Sequence, residues 1–85
     1  MILRFTKSFE KEFASITRGN KELKKKIIRK LEVLMKNPNH PSLRLHKLGS
    51  GKYWSISMDK SIRVLIFFQE EFIYIYHIGK HEDVY

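Results

Sequence analysis

A group of basic side chains gathers in the second half of this 85-residue chain: Arg44, His46, Lys47, Lys52, Arg63, Lys80 and His81, with Tyr53, Trp54 and Tyr85 among them. A guanidinium can grip a phosphate through two parallel hydrogen bonds. Aromatic faces stack on unpaired bases. An imidazole, with a pKa of about 6.5 in water, moves protons at neutral pH. These are the parts that cleavage of an RNA phosphodiester needs. A base takes the 2′-hydroxyl proton, a cation stabilises the charge building on phosphorus, and an acid protonates the leaving 5′-oxygen. The nucleophile lies within the substrate, so this chemistry requires no metal.

Each residue also has a plainer reading. Arg63 stands in an apolar run, where an unpaired charge is costly to bury; a salt bridge to Glu70 or Glu71 would satisfy it. His81 could be an exposed tail residue, and His46 a solvated strand residue. His77 reads as structural, bonded to backbone, and Trp54 as core. Ser55 and Ser57 read as solvent-facing strand residues, so nothing supports a Ser-His-Asp arrangement with Asp59. His77 and His81 are four apart, but a strand end and Gly79 separate them, and only Glu82 and Asp83 stand near. That is a poor metal site. Gly49-Ser50-Gly51 lacks the strand-then-helix context of a phosphate loop and reads as a turn.

The charge balance, 17 basic against 9 acidic residues, gives +8. On so small a surface this is a strong positive field and predicts a polyanionic or acidic partner. The absence of cysteine excludes a disulfide scaffold, thiolate zinc and thiol catalysis. No apolar run reaches the roughly 20 residues of a membrane span, and no signal peptide is evident. The chain reads as one basic cytoplasmic domain, residues 1–85.

These side chains must be positioned by an α+β architecture. Ile2 to Phe5 reads as a short strand, and Thr6 can cap a helix that buries Phe9, Phe13 and Ile16. Gly19 suits the end of that helix and Asn20 the cap of the next. Leu23, Ile27, Leu31 and Leu34 stripe the second helix, with its lysines as a solvated face. Pro38 and Pro41 stop it. The period then changes from 3.6 to 2. Leu43–Leu48, Lys52–Met58, Ile62–Phe68 and Phe72–Ile78 alternate, separated by turns at Gly49–Gly51, Asp59-Lys60 and Gln69–Glu71. In the last strand the alternation sets Tyr74 and Tyr76 against Ile73, Ile75 and His77. The order is β-α-α-β-β-β-β, with two helices on one face of an antiparallel sheet. Leu65, Phe67, Ile73 and Ile75 then suggest middle strands that are apolar on both faces, and a second face that serves a partner or substrate.

The ending Gly79-Lys80-His81-Glu82-Asp83-Val84-Tyr85 resembles the G-T-H-(D/E)-x-(V/L)-(Y/F) ending of the RelE/ParE superfamily of type II toxins, closest to its YafQ-like and RelE/StbE-like branches. Phe5-Thr6-Lys7-Ser8-Phe9 resembles the start of that family's first helix. Leu45-His46-Lys47-Leu48 and Tyr53-Trp54-Ser55-Ile56 resemble its second and third strands, and Ile62-Arg63-Val64-Leu65-Ile66 the strand with its phosphate-binding arginine. The resemblance implies a microbial-RNase-like fold, metal-independent and cofactor-free cleavage of mRNA on the ribosome, and a cognate antitoxin with an acidic, partly helical segment.

It also implies roles. His81 is the general acid or base, Arg63 holds the scissile phosphate, Tyr85 is the terminal aromatic beside that histidine, and His46 matches a loop histidine of the YafQ-like branch. Arg44, Lys47, Lys52 and Lys80, read from the basic constellation rather than from the resemblance, are the expected RNA and phosphate contacts. Ser57 and Ser61 stand about where that branch has a second histidine and an aspartate, and position 80 is Lys rather than Thr. The second proton-transfer group is thus open, with Lys47 and Lys52 as spare candidates. Two other functions fit the same fold: a ParE-type inhibitor of DNA gyrase, and a binding module that acts only with its antitoxin at an operator.

Overall fold

The computed structural model describes residues 1–80; His81 to Tyr85 lie outside the described residues. Strand β1 (Ile2–Phe5) leads into helix α1 (Lys7–Ile16), then α2 (Lys21–Lys36), a 3-10 turn (Pro41–Leu43), and strands β2 (His46–Lys47), β3 (Trp54–Ser57), β4 (Ile62–Gln69) and β5 (Phe72–Lys80). The sheet order is β1-β5-β4-β3-β2. The last four strands form the expected antiparallel meander. β1 joins at the edge beside β5 and runs parallel to it, which makes the sheet mixed. Local patterning carries no signal for that pairing, because β1 meets a strand some 70 residues later in the chain.

The helix ends follow from the caps. Thr6 Oγ1 accepts from the Phe9 amide at 3.1 Å and donates to the Tyr76 carbonyl at 2.8 Å, so one hydroxyl both starts α1 and docks it on β5. Asn20 Oδ1 accepts from the Leu23 amide at the start of α2. Gly19 between the helices has φ +69, a conformation that suits a residue without Cβ. Phe9, Ile27, Leu31 and Leu34 from the helices pack on Ile56, Val64, Ile66, Ile73 and Ile75 from the sheet.

Three local expectations change. Leu43 to Leu48 is not a continuous strand: the 3-10 turn comes first, and Arg44 adopts a left-handed φ of 48 that breaks the extended run. Ser55 is fully buried rather than solvated. Most consequential is a bulge in β5. Leu65 pairs with His77 but Ile66 pairs with Ile75, so Tyr76 is an extra residue. The bulge shifts the alternation: Ile73 and Ile75 are buried before it and Ile78 after it. His77 therefore does not share a face with Ile73 and Ile75.

The face away from the helices, called the open face below, is accordingly not built from Ile73 and Ile75, which are both 0% exposed in the core. Rings build it instead. Tyr53 stacks on Tyr76 with centroids 5.2 Å apart and meets Phe67 edge-on at 5.7 Å, while Phe67 stacks on Tyr74 at 4.8 Å.

Candidate functional site

Arg63 lies in β4 between the buried Ile62 and Val64, so strand alternation turns it to the open face. Its cross-strand neighbours are Ser57 on β3 and Gly79 on β5. Gly79 itself contributes no side chain to that flank of the guanidinium. On the other side, Nη2 lies 3.4 Å from Nδ1 of His46, and that nitrogen is also 3.4 Å from the Arg44 carbonyl. The tautomer decides which contact His46 makes: a bare Nδ1 accepts from Arg63, and a protonated Nδ1 donates to the carbonyl. β2 contributes this histidine because His46 pairs with Ser55, placing it on the side that Arg63 occupies.

Lys52 belongs to the same face. Its ammonium sits 4.3 Å from the centre of the Phe67 ring and 5.7 Å from that of Tyr53. A cation held over rings keeps its charge available while its stem covers apolar surface. Arg44, through its left-handed backbone, joins Arg63 in lining a depression at the α2 side of the site.

Other candidates are not brought together. Lys47 pairs with Trp54 and Lys80 with Ile62, residues of the helix-covered side, so the register turns both lysines away from Arg63. His81 and Tyr85 lie outside the described residues. β5 is described up to Lys80, the residue to which His81 is bonded, and Lys80 stands beside Ile62 at the start of β4.

His77 is structural, but its partner is a carboxylate and not backbone. Its Nδ1 is 2.8 Å and 2.7 Å from the two oxygens of Glu12 on α1. Glu12 also accepts from the Ile78 amide at 3.2 Å. β1 pairs with β5 only as far as Ile75, so Glu12 takes over the edge of β5 where β1 has ended. Sequence reasoning missed Glu12, which looks like any solvent-side helix residue. It also missed Lys26 and Lys30, assigned to a solvated face. Their i, i+4 spacing beside the apolar stripe was the available signal. Lys26 reaches Asp59 at 3.5 Å, and Lys30 donates to the Ser42 carbonyl at 2.9 Å.

The combined arrangement is a basic and aromatic surface on the open face, centred on a guanidinium with an imidazole beside it. Comparisons with known proteins agree with that picture at the level of the fold. A toxin from Helicobacter pylori, solved as a copper-bound mutant, superposes with a TM-score of 0.83 at 18% identity, covering 100% of this chain and 99% of that one. YafQ from E. coli gives 0.81 at 14% identity over 98% and 96% of the two chains, and has also been solved in complex with DinJ. A YoeB/ParE toxin from Agrobacterium tumefaciens gives 0.81 at 16% identity over 95% and 99%. No curated protein matches the sequence. The family model described as "ParE toxin of type II toxin-antitoxin system, parDE" matches residues 3–85. With nearly its whole length matched, the chain belongs to that family, within the RelE/ParE superfamily of type II toxins.

Proposed function

We propose that this toxin is a metal-independent endoribonuclease that cuts mRNA. The observation that carries the reading is the Arg63–His46 pair on the open face, with Nη2 3.4 Å from the imidazole and a glycine opposite the arginine. In the reaction a base removes the 2′-hydroxyl proton and the 2′-oxygen bonds to phosphorus. The bond from phosphorus to the 5′-oxygen breaks, and an acid returns a proton to that oxygen. Arg63 holds the phosphate and offsets its growing charge. His81 is one proton-transfer group and His46 the second, and Tyr85 serves as the terminal aromatic of the site. Lys52 and the rings of Tyr53 and Phe67 hold the strand by charge and stacking. The ribosome presents the mRNA, and a cognate antitoxin covers the same surface, in the cytoplasm. YafQ and YoeB neighbours solved with DinJ and YefM support a protein partner of that kind.

The family match itself favours a second reading, inhibition of DNA gyrase in the ParE manner. That activity needs no catalytic histidine. Purified protein, wild type and variants, is assayed for cleavage of mRNA on ribosomes and for gyrase supercoiling. Arg63→Ala and His81→Ala are each expected to slow cleavage by about 10²–10³-fold while the antitoxin still binds. Undiminished cleavage in both variants would refute the site. Loss of supercoiling with intact mRNA would establish the second reading.

A further inference from the structure

We propose that the depression beside Arg63 is a second phosphate site, which takes the backbone phosphate next to the scissile one in a single-stranded RNA. The inference rests on the nuclease reading above. The depression, of about 320 Å³, is lined by Lys26, Lys30, Arg44, Lys60 and Arg63, with Asp59 as its one carboxylate among the described residues. Four separate pieces of chain supply these cations: α2, the residue after the 3-10 turn, the β3–β4 loop and β4.

Their convergence is built by specific contacts. Lys26 and Lys30 are one helical turn apart and share a side of α2. Lys30 is drawn toward the 3-10 turn by its 2.9 Å bond to the Ser42 carbonyl. The carboxylate of Asp59 is already engaged, 3.5 Å from Lys26. Arg44 stands at the rim with a left-handed φ of 48, a conformation disfavoured in a residue with a side chain. A surplus of positive charge concentrated in one concavity selects an anion.

The position argues for RNA. Arg63 borders two sites at once: its Nη2 lies against His46 on the open face, and the residue also lines this depression. Two anions bound on either side of one arginine sit as neighbours, which is how successive phosphates sit in a single strand. A strand gripped at the scissile phosphate therefore delivers its next phosphate to Arg44, Lys30 and Lys60. The second site fixes the direction in which the strand crosses the sheet.

The test is binding of a short single-stranded RNA with methylated 2′-hydroxyls, which no 2′-attack can cut, followed by fluorescence anisotropy over a salt series. Lys60→Gln and Arg44→Gln are each expected to weaken binding about 3–10-fold. Combined, they lower the slope of log affinity against log salt by about 0.7, the value for one phosphate on a single strand. Lys36→Gln, at the far end of α2, serves as the control and leaves the slope alone. Replacing one phosphate of the RNA by a neutral methylphosphonate reproduces the loss in the wild type and adds nothing in the double variant. Thermal melting checks that each variant is folded; Lys60→Gln, in an exposed loop, carries the test should Arg44→Gln unfold. An unchanged slope in folded variants overturns the second site while leaving cleavage of ordinary mRNA to judge the nuclease reading separately. No binding by the wild type also overturns the second site, while absent cleavage of mRNA on ribosomes overturns the nuclease reading. Variants that lose affinity for an oligoglutamate peptide but keep it for RNA assign the depression to an acidic protein partner instead.

Discussion

Along β4, Ile62, Val64 and Ile66 face the helices and are 6%, 0% and 0% exposed, whereas Arg63, Leu65 and Phe67 face away and are each only partly buried. The covered side is mainly aliphatic and filled by shape: Ile27, Leu31 and Leu34, together with Phe9, close over it. The open side is filled by rings and cations that touch one another edge-on or in stacks, with Lys52 over Phe67 and Arg4 over Phe72 at 4.5 Å. The same backbone thus carries two kinds of surface. One side stabilises the fold and has no room to change. The other holds its charges at the surface, where a partner can reach them, and its contribution to stability is smaller.

That contrast breaks most directly by truncating one residue on each side. Ile75→Ala empties a fully buried site and is expected to cost about 2–5 kcal/mol. Phe67→Ala on the open side is expected to cost less, about 1–2 kcal/mol, because its ring is only partly buried. Its larger effect should fall on RNA affinity, through lost stacking. Urea midpoints and anisotropy read the two quantities on the same samples. Equal stability losses from both variants would mean that the open side is a second core and that the two sides of β4 do not differ in kind.

A smaller effect tests how β5 passes from one environment to the other. Up to Ile75 its edge is paired with β1; beyond it, Glu12 serves Ile78 and His77. Glu12→Ala is expected to cost about 1–2 kcal/mol, since it strips a charged acceptor from a partly buried amide and imidazole. Glu12→Gln keeps one acceptor and should recover part of that loss. Hydrogen exchange at the Ile78 amide checks the local effect: it should quicken in Glu12→Ala while the Ile73 amide stays protected. Equal quickening at both would show global destabilisation rather than a local anchor.

How much of this was legible beforehand depends on how local the cause is. Thr6, Gly19 and Asn20 announced the helix boundaries because a cap acts within three or four residues. Leu23, Ile27, Leu31 and Leu34 announced the buried stripe for the same reason. Ile62 to Phe68 showed which side Arg63 takes, since an uninterrupted strand alternates strictly. The bulge at Tyr76 carried no such mark, and it is what moves His77 off the face of Ile73 and Ile75. Nor could spacing foresee that Lys26 and Lys30 meet Arg44 and Lys60, because that meeting depends on how α2 lies across the sheet. Arg63 and His46 were named from type and family likeness; their 3.4 Å approach follows from the β2–β3–β4 register.

The smallest expected effect concerns Asp59, the one carboxylate among the described residues of the basic depression. Burial pushes its pKa up, but the charge of Lys26 and the backbone N–H groups of Ser61 and Lys60 pull it down and prevail, so it lies below its usual 3.8. A carboxyl with a lowered native pKa stabilises the fold above its unfolded pKa, and that contribution disappears as pH falls through the native value. Asp59→Asn should therefore be less stable than the wild type at pH 7, by a few tenths of a kcal/mol for so exposed a pair, and the gap should shrink toward pH 3. A gap unchanged between pH 7 and pH 3, measured from urea midpoints, would show that shape or the turn, rather than charge, keeps Asp59 in place. The same variant sharpens the contrast between the two sides of β4. Removing a negative charge there leaves the aliphatic core untouched and raises the field around Arg63, so RNA should bind more tightly even as the fold loosens slightly.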